Sequence, residues 1–336
     1  MDQTTTNLTV AVRRQLVLNG RSTVAAISEA TRLSFPTVKK QLEQLMQAGE
    51  VFEHGFEDSR GGRPSKRYIY NERFTHGLTL YVEKTVVRYR LIDCKGATID
   101  DGTQVILDGD HLGALGAVLD RQLDQTSDVS AISVGVAAAV AAAVADGTVI
   151  FAPDYTTFAH LDLKHWVESR TARPAVIEND MNAAVYGYGH THELTGDQSI
   201  VYIYLGKNGP GAGILINGQL IRGKTGFSGE ISFLPLYDDS TFHDRIASER
   251  SVPAPLSDAA LDALGRLVAT FTATLNPHAI IFSDVDLVDT ELEGIRNACQ
   301  RHIPAAHTPD LLIGIWEEDY FAGLARRCVG LILESI

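Results

Sequence analysis

Apolar residues recur at helical spacing in three stretches of the first fifty residues, and this pattern predicts three helices. The helices cover about residues 8–18, 23–31 and 35–48, and they are separated by the turn pair Asn19-Gly20 and by Arg32-Leu33. Two helices joined by a few residues are typical of a helix-turn-helix, whose second helix enters the major groove of DNA. The pattern therefore predicts a DNA-reading unit at the N-terminus.

The third predicted helix has a polar start and an apolar stripe. Ser34 is a good N-cap, and Pro36 lies in the first turn, where a missing N–H costs little. The buried stripe is Val38, Leu42, Leu45 and Met46. We expect DNA contacts from the cap and the residues off this stripe: Ser34, Phe35, Thr37, Lys39, Lys40 and Gln41.

A pair of strands is predicted next, at residues 51–52 and 68–70. The loop between them, residues 60–67, contains four cations and three flexible or turn-forming residues. Such a wing can place Arg60, Arg63 and Lys66 along phosphates or in a minor groove. The alternative is a solvated basic turn.

From residue 76 onward, β-rich runs alternate with helical runs, which indicates an α/β architecture. A hairpin is predicted at 77–93. Further strands are predicted at 132–136, 175–177 and 199–205, and helices at 112–125, 163–169 and 259–275. About 260 residues suit two lobes. The expected domains are residues 1–72 for the winged helix-turn-helix, 73–190 for the first lobe and 191–336 for the second, with the last helix packing back on the first lobe.

The charge is unevenly distributed between these parts. The chain has a formal net charge of −13, but residues 1–73 contain 11 Lys or Arg and 8 Asp or Glu, a net charge of +3, which leaves −16 for the rest. An acidic body repels phosphate, so the basic head must supply the attraction to DNA. The asymmetry favours a DNA-binding head on a body that binds something else.

Composition excludes several other classes of protein. The three cysteines are widely separated, without a CxxC motif, which indicates buried thiols in a reducing cytoplasm. The most apolar stretch, residues 131–145, is shorter than the roughly 20 residues of a membrane-spanning helix. We expect a cytoplasmic protein without a membrane partner.

Three segments of the body carry candidate chemistry. Residues 178–184 follow a strand, and the carboxylates and amides there, including Asn179 and Asp180, can bind hydroxyls; helix capping is the alternative. Residues 206–213 form a glycine-rich turn that either contacts phosphate or, as we favour, closes a hairpin. Residues 223–230 end in Glu230, which is either a ligand contact or a solvated loop charge.

Taken together, these segments resemble the ROK family, a group of bacterial repressors and sugar kinases with an actin-like, hexokinase-like fold of the ribonuclease H type. Residues 61–64, Gly-Gly-Arg-Pro, look like the wing of the family's repressors, and residues 178–182 look like its sugar-binding motif. Residues 211–218 look like its phosphate loop. The resemblance implies that Asp180 stands at the position of the kinases' catalytic base and that Glu230 contacts sugar.

The sequence departs from the family's kinases at the ATP turn. The kinases hold ATP phosphates and metal with an Asp-x-Gly-Gly-Thr turn, but here Thr79 stands at the aspartate, and Tyr81 and Val82 stand at the glycines. Phosphoryl transfer depends on positioning and on neutralising the phosphates, so we expect no catalysis. The family's Cys-x-Cys-Gly zinc cluster is also missing, and His243 is interpreted as a surface histidine. No metal and no cofactor are expected.

The leading hypothesis is a homodimeric transcription regulator, or a dimer of dimers, that represses carbohydrate-metabolism genes. Its partners are double-stranded operator DNA and a sugar or sugar phosphate held by Asn179, Asp180 and Glu230 in an inactive kinase-like body. Two alternatives stay open. One is an active sugar kinase fused to a DNA-binding head, and the other is a regulator controlled by a protein partner on the acidic body.

Overall fold

The structure is a computed structural model that describes residues 3–57, 64–136, 144–145, 148–149, 158, 161–206, 209–247 and 256–335. Within these residues, a helical head with a three-stranded sheet precedes two mixed five-stranded sheets and a short two-stranded ladder. The expected α/β fold is confirmed. No helix in these ranges is long and apolar enough to cross a membrane.

The head is built from three helices and an antiparallel sheet in the order β1-β3-β2. Its elements are α1 (Gln3–Asn19), β1 (Arg21–Thr23), α2 (Val24–Thr31), α3 (Phe35–Gln47), β2 (Val51–Glu57) and β3 (Ser65–Tyr70). Thr23 caps α2 by accepting a hydrogen bond from the Ala26 N–H at 3.2 Å, and Ser34 caps α3 by accepting one from the Thr37 N–H at 3.3 Å. The helix-turn-helix and its flanking strands therefore lie where the apolar pattern predicts them.

A buried ion pair lies at the centre of the head. The pattern places Arg13 with Arg14 away from the apolar stripe, but the Arg13 side chain is only 6% exposed. Its guanidinium donates two 2.7 Å hydrogen bonds to the carboxylate of Glu50, the residue that precedes β2. Arg13 therefore ties α1 to the start of the hairpin, a role that helical periodicity does not reveal.

The first lobe contains a sheet in the order β10-β7-β4-β5-β6, in which β10, β7 and β4 are parallel. The predicted hairpin is confirmed, since β4 and β5 pair antiparallel from His76–Asp93 to Val82–Val87. The elements of this lobe are β4 (His76–Val82), β5 (Val86–Asp93), β6 (Thr98–Val105), α4 (His111–Gln125), β7 (Val129–Val136), β8 (Val144–Ala145), β9 (Thr148–Val149), α5 (Leu163–Thr171), β10 (Ala175–Asn179) and α6 (Asp180–Thr191).

The second lobe contains a sheet in the order β13-β12-β11-β14-β15. β11 and β12 pair antiparallel, so the glycine-rich segment between them closes a hairpin, as favoured; its Lys207 and Asn208 lie outside the described residues. The elements are β11 (Ile200–Tyr204), β12 (Gly211–Ile216), β13 (Gln219–Leu220), α7 (Phe242–Ala247), α8 (Asp258–Leu275), β14 (Ala279–Ser283), α9 (Asp289–Cys299), β15 (Asp310–Gly314) and α10 (Trp316–Ser335).

The last helix, α10, connects all three parts. It packs on α6 and on strands β4, β7 and β10 of the first lobe. Near its end, Cys328, Val329, Ile332 and Leu333 join the same apolar cluster as Val12 and Leu16 of α1. The head and the first lobe therefore share one core.

Candidate functional site

A cleft of about 660 Å³ is lined by residues from both lobes of the body. One wall carries Asn179, Asp180 and the turn after β4, and the other carries Glu230 and the start of β12. The three residues expected to hold an effector therefore face the same open space. Their roles in binding stay a prediction.

The first wall is set by the junction of β10 and α6. β10 is a parallel strand, and ligands of α/β sheets bind outside the carboxyl ends of such strands. The Asn179 side-chain oxygen accepts a hydrogen bond from the Asn182 N–H at 3.0 Å and caps α6. Asn179 therefore has the capping role that the sequence left open, and it also lines the cleft.

Asp180 is a buried acid at the bottom of this wall, with 6% of its surface exposed. Burial in a weakly polar environment raises the pKa of its carboxyl to about 7, the nearby Glu230 carboxylate adds to the rise, and the 2.8 Å hydrogen bond from the Met181 N–H opposes it. Near neutral pH the group can therefore donate or accept a hydrogen bond, which suits recognition of sugar hydroxyls.

The raised pKa of Asp180 predicts a pH-dependent cost to stability. In the unfolded chain this acid ionises near pH 4, whereas in the folded protein it ionises near pH 7, so the cost is absent below pH 4 and complete above pH 7. We expect Asp180→Asn to stabilise the protein at pH 8 by up to about 4 kcal/mol and to have little effect at pH 4. Urea unfolding at the two pH values measures this difference; equal effects at both would contradict the shift.

Glu230 is positioned by a close approach of its loop to β12. Gly229 has φ +94°, and a Cβ there would lie 1.8 Å from the carbonyl oxygen of Ala212. The Gly229 carbonyl in turn accepts a 2.8 Å hydrogen bond from the Ala212 N–H. Only glycine fits both the backbone angle and the space, so this contact holds the loop against the cleft.

Aromatic side chains fill the end of the cleft next to the β4–β5 turn. Tyr81 is 3% exposed and meets the Tyr320 ring edge-to-face, with centroids 4.2 Å apart. Tyr204 stacks on Trp316 at 4.2 Å, and both line the cleft. Tyr204 and Trp316 were not predicted as site residues, because they are more than a hundred residues apart and neither stands in a recognisable motif.

Glu178 differs from its neighbours in not lining the cleft. Its side chain is 4% exposed; it accepts a 2.5 Å hydrogen bond from the Arg222 guanidinium and forms a 3.0 Å ion pair with that of Arg327. Arg222 belongs to the loop that leads to Glu230, and Arg327 belongs to α10. The acid at the start of the sugar-motif-like segment therefore forms an ion-pair network that joins three parts of the fold.

The predicted DNA-reading face of α3 is largely exposed. Ser34 and Lys40 are exposed, Thr37 is half-buried, and Phe35 has 54% of its surface exposed. Lys39 is exposed and lies 3.8 Å from Glu43 one turn later. These residues share the start of one helix, as a major-groove reader requires.

The structure alters the predicted set of DNA contacts at Gln41 and describes only part of the wing. Gln41 is 3% exposed and accepts a 2.6 Å hydrogen bond from the Thr9 hydroxyl, so it supports the packing of α1 on α3 and does not lie on the exposed face. Lys66 is half exposed and pairs with Glu53 across the hairpin at 2.6 Å. Arg60 and Arg63 lie outside the described residues.

Comparison with known proteins shows which proteins this arrangement is similar to. The model described as "ROK family" matches residues 110–243. The xylose repressor of Bacillus subtilis (strain 168) is 26% identical over 229 residues, which make up 66% of this chain and 59% of the repressor. The crystal structure of a ROK family transcriptional regulator, a homolog of the E. coli MLC protein, superposes with a TM-score of 0.76 and 15% identity over 99% of this chain and 98% of that one. Over these ranges the chain is similar to ROK family proteins.

ROK kinases resemble smaller parts of the chain. The glucokinase of Streptomyces coelicolor is 35% identical over 108 residues, 32% of this chain and 33% of the enzyme. The ROK glucokinase from Streptomyces griseus, solved with glucose and AMPPNP, superposes with a TM-score of 0.56 and 20% identity over 77% of this chain and 98% of that one. The repressor match is the more extensive in sequence, although this chain covers only 59% of the xylose repressor's length.

Two positions that differ from the ROK kinases have structural consequences. Thr79, at the aspartate position of the ATP turn, is fully buried in β4 and donates a 3.1 Å hydrogen bond to the Arg90 carbonyl of β5. Phe233, in the segment after Glu230 where no cysteine stands, packs on Phe227. In the described ranges no cluster of His, Cys, Asp or Glu is suited to a metal ion, and His243 is exposed.

Proposed function

We propose that this protein is a DNA-binding transcriptional regulator, a repressor of carbohydrate-metabolism genes, whose kinase-like body binds a sugar effector. The observation that carries the proposal is the exposed start of α3 on a winged helix-turn-helix head. Phe35 and Lys40 stand on this face, whereas the remainder of the helix packs Val38, Leu42 and Leu45 into the core of the head. Such a helix presents its N-terminal residues to base edges and phosphates.

The effector role of the body is supported by the cleft. Asn179, Asp180 and Glu230 line it together and offer donors and acceptors for hydroxyl groups. The relatives named as xylose repressors favour a sugar as the ligand. Binding that closes the two lobes changes the DNA affinity only if the ligand prefers one of two states of the head.

We also propose that the body is not an enzyme and that it holds a cytoplasmic homodimer together, with two heads on a pseudo-palindromic operator. The loss of catalysis is supported by Tyr81, whose buried ring occupies the ATP-turn end of the cleft, and by Thr79, which offers no carboxylate to a magnesium ion. Phosphoryl transfer requires both a phosphate cradle and charge neutralisation.

One experiment tests both the sugar site and the loss of activity. We expect D-xylose or D-glucose to raise the melting temperature of the wild-type protein by several degrees, because a ligand that binds only the folded state stabilises it. Glu230→Gln should weaken this response, and Glu293→Gln, an exposed acid on α9, should not.

A coupled ADP-release assay with ATP and the same sugars should show no turnover above the Asp180→Asn background. Turnover that depends on Asp180 would overturn the proposal in favour of an active kinase. A melting temperature that no sugar changes would favour control by a protein partner on the acidic body.

A further inference from the structure

Helix α10 is in contact with both the cleft and the head. Trp316 and Glu317, at its start, line the cleft. Cys328, Val329 and Ile332, near its end, are buried in the apolar cluster that includes Val12 and Leu16 of the head. A helix of 20 residues is about 30 Å long. One helix therefore extends from the proposed sugar site to the core of the DNA-binding head.

Helices α6 and α10 are in direct backbone contact. A Cβ on Gly187 of α6 would lie 1.8 Å from the Asp319 carbonyl oxygen of α10, and a Cβ on Gly323 of α10 would lie 1.9 Å from the Ala183 carbonyl oxygen of α6. No side chain separates the two helices at this crossing, and close-packed interiors transmit displacement with little compression. A movement at Asp180, the first residue of α6, therefore moves α10.

The Glu178 network adds an electrostatic link to this packing. Glu178 precedes the effector-cleft residues Asn179 and Asp180, and it pairs with Arg222 of the Glu230 loop and with Arg327 of α10. The Arg327 guanidinium also lies over the Tyr186 ring of α6, 4.7 Å from its centroid. Removing one partner of a buried carboxylate is costly. If the Glu230 loop closes on a ligand and moves Arg222, the ion pair between Glu178 and Arg327 must therefore change.

The head end of α10 leaves room for such a movement. α1 and α10 enclose a groove of about 500 Å³, whose lining includes Arg14, Leu18, Arg326 and Arg327. The groove is bridged at the surface by a 2.6 Å ion pair between Arg14 and Glu334, both about half exposed. Exposed pairs of this kind are weak and exchange readily, so the Arg14–Glu334 pair does little to oppose a change in the tilt of α1 on α10.

We propose that α6 and α10 form a rigid unit that transmits sugar binding in the cleft to the DNA-binding head, and that Arg327 is the positioning residue that couples this unit to the Glu230 loop through Glu178. The inference rests on the proposed function, because it needs both a ligand in the cleft and an operator at the head. It predicts that DNA binding and sugar binding can be uncoupled without loss of either.

The test compares Arg327→Met with Arg326→Met, a neighbouring half-buried arginine of α10 that forms no ion pair within the ranges the structure describes. The probes are D-xylose or D-glucose and a DNA duplex selected from a random library by the wild-type protein. Melting temperature verifies folding, titration calorimetry measures sugar affinity, and fluorescence anisotropy measures DNA affinity with and without sugar.

For the wild type and Arg326→Met, we expect sugar to weaken DNA binding by about 5- to 150-fold, the usual range of allosteric coupling. For Arg327→Met we expect the sugar-free DNA affinity and the sugar affinity to stay within about threefold of wild type, while the coupling falls to about twofold or less. Hydrogen exchange should show sugar-dependent change at Val12–Leu16 in the wild type but not in Arg327→Met.

Several outcomes would overturn the relay. Full coupling in Arg327→Met would do so, as would equal losses of coupling in both variants. Suppose that, in the wild type, sugar slows hydrogen exchange at the start of α6 but does not change exchange in α1. That result would overturn the relay and would still support the proposed effector site. A wild type that binds neither sugar would overturn the relay and the effector role together, and the DNA titration would still report separately on the head.

Discussion

Replacing Lys40 with glutamate should lower the affinity of the protein for its operator by about a hundredfold at 0.1 M salt. Lys40 is exposed on the start of α3, and it forms no ion pair within the described ranges, whereas Lys39 lies near Glu43. Reversing one phosphate-facing charge lowers the DNA affinity by about tenfold per head. Because the proposed dimer has two heads, the two effects multiply. The slope of log affinity against log salt should also fall in magnitude by about two or more. Anisotropy titrations over a range of salt concentrations measure both quantities.

The matched control is Lys164→Glu, which makes the same charge change on α5 of the body, where the lysine is 46% exposed. It should change the affinity by less than about threefold, since exposed charges farther apart than about 10 Å are largely screened at 0.1 M salt. Equal losses in the two variants would mean that net charge, not the α3 face, determines binding. Salt-independent binding by the wild type would contradict the DNA-reading role of the head.

Removing the Arg13 guanidinium with Arg13→Met should destabilise the head by about 3–5 kcal/mol, because it leaves the Glu50 carboxylate buried without its cation. The pair is made of two 2.7 Å hydrogen bonds between side chains that are 6% and 5% exposed. The Tyr70 hydroxyl donates a further hydrogen bond of 3.4 Å to the same carboxylate. This longer, neutral hydrogen bond cannot replace the positive charge of Arg13. Urea unfolding followed by circular dichroism measures the loss, and operator binding should disappear with it.

Two variants separate the loss of stability caused by breaking the ion pair from that caused by removing side-chain volume. Arg13→Met with Glu50→Met should recover most of the stability, since replacing both members of a buried pair with apolar residues is often neutral. Arg14→Met should cost less than about 1 kcal/mol, because its pair with Glu334 is about half exposed. An Arg13→Met variant as stable as Arg14→Met would show that Glu50 finds another partner.

Local pattern was sufficient to predict most of the fold. Ser34 caps α3 because its hydroxyl accepts a hydrogen bond from a free N–H group of the first turn, and the hairpin of β4 and β5 follows from two β-rich runs separated by a short turn. Gln41 and Arg13 were assigned to the wrong surface for one reason. Polar side chains can lie inside a small domain when a partner from a distant segment satisfies them, here Thr9 and Glu50.

The cleft was only partly predictable from sequence. Asn179, Asp180 and Glu230 stand in short motifs that directly follow strands or turns, so their placement depends on local structure. Trp316 meets Tyr204 only through the packing of α10 in the fold, and Arg327 meets Glu178 for the same reason. Contacts created by the return of a C-terminal helix depend on tertiary packing, and a single sequence carries no periodic signal for them.

The aromatic filling of the ATP-turn end has an evolutionary consequence. The Tyr81 ring is enclosed by Tyr320 and Phe321, and Phe321 in turn carries the Arg90 guanidinium on its face at 4.2 Å. An aspartate at position 79 would place a charge in a fully buried strand position. A glycine at position 81 would open a cavity among the remaining rings. Each substitution is therefore destabilising on its own. Each single substitution toward the kinase turn therefore lowers the free energy of unfolding before the complete phosphate turn exists, so selection for stability acts against its appearance.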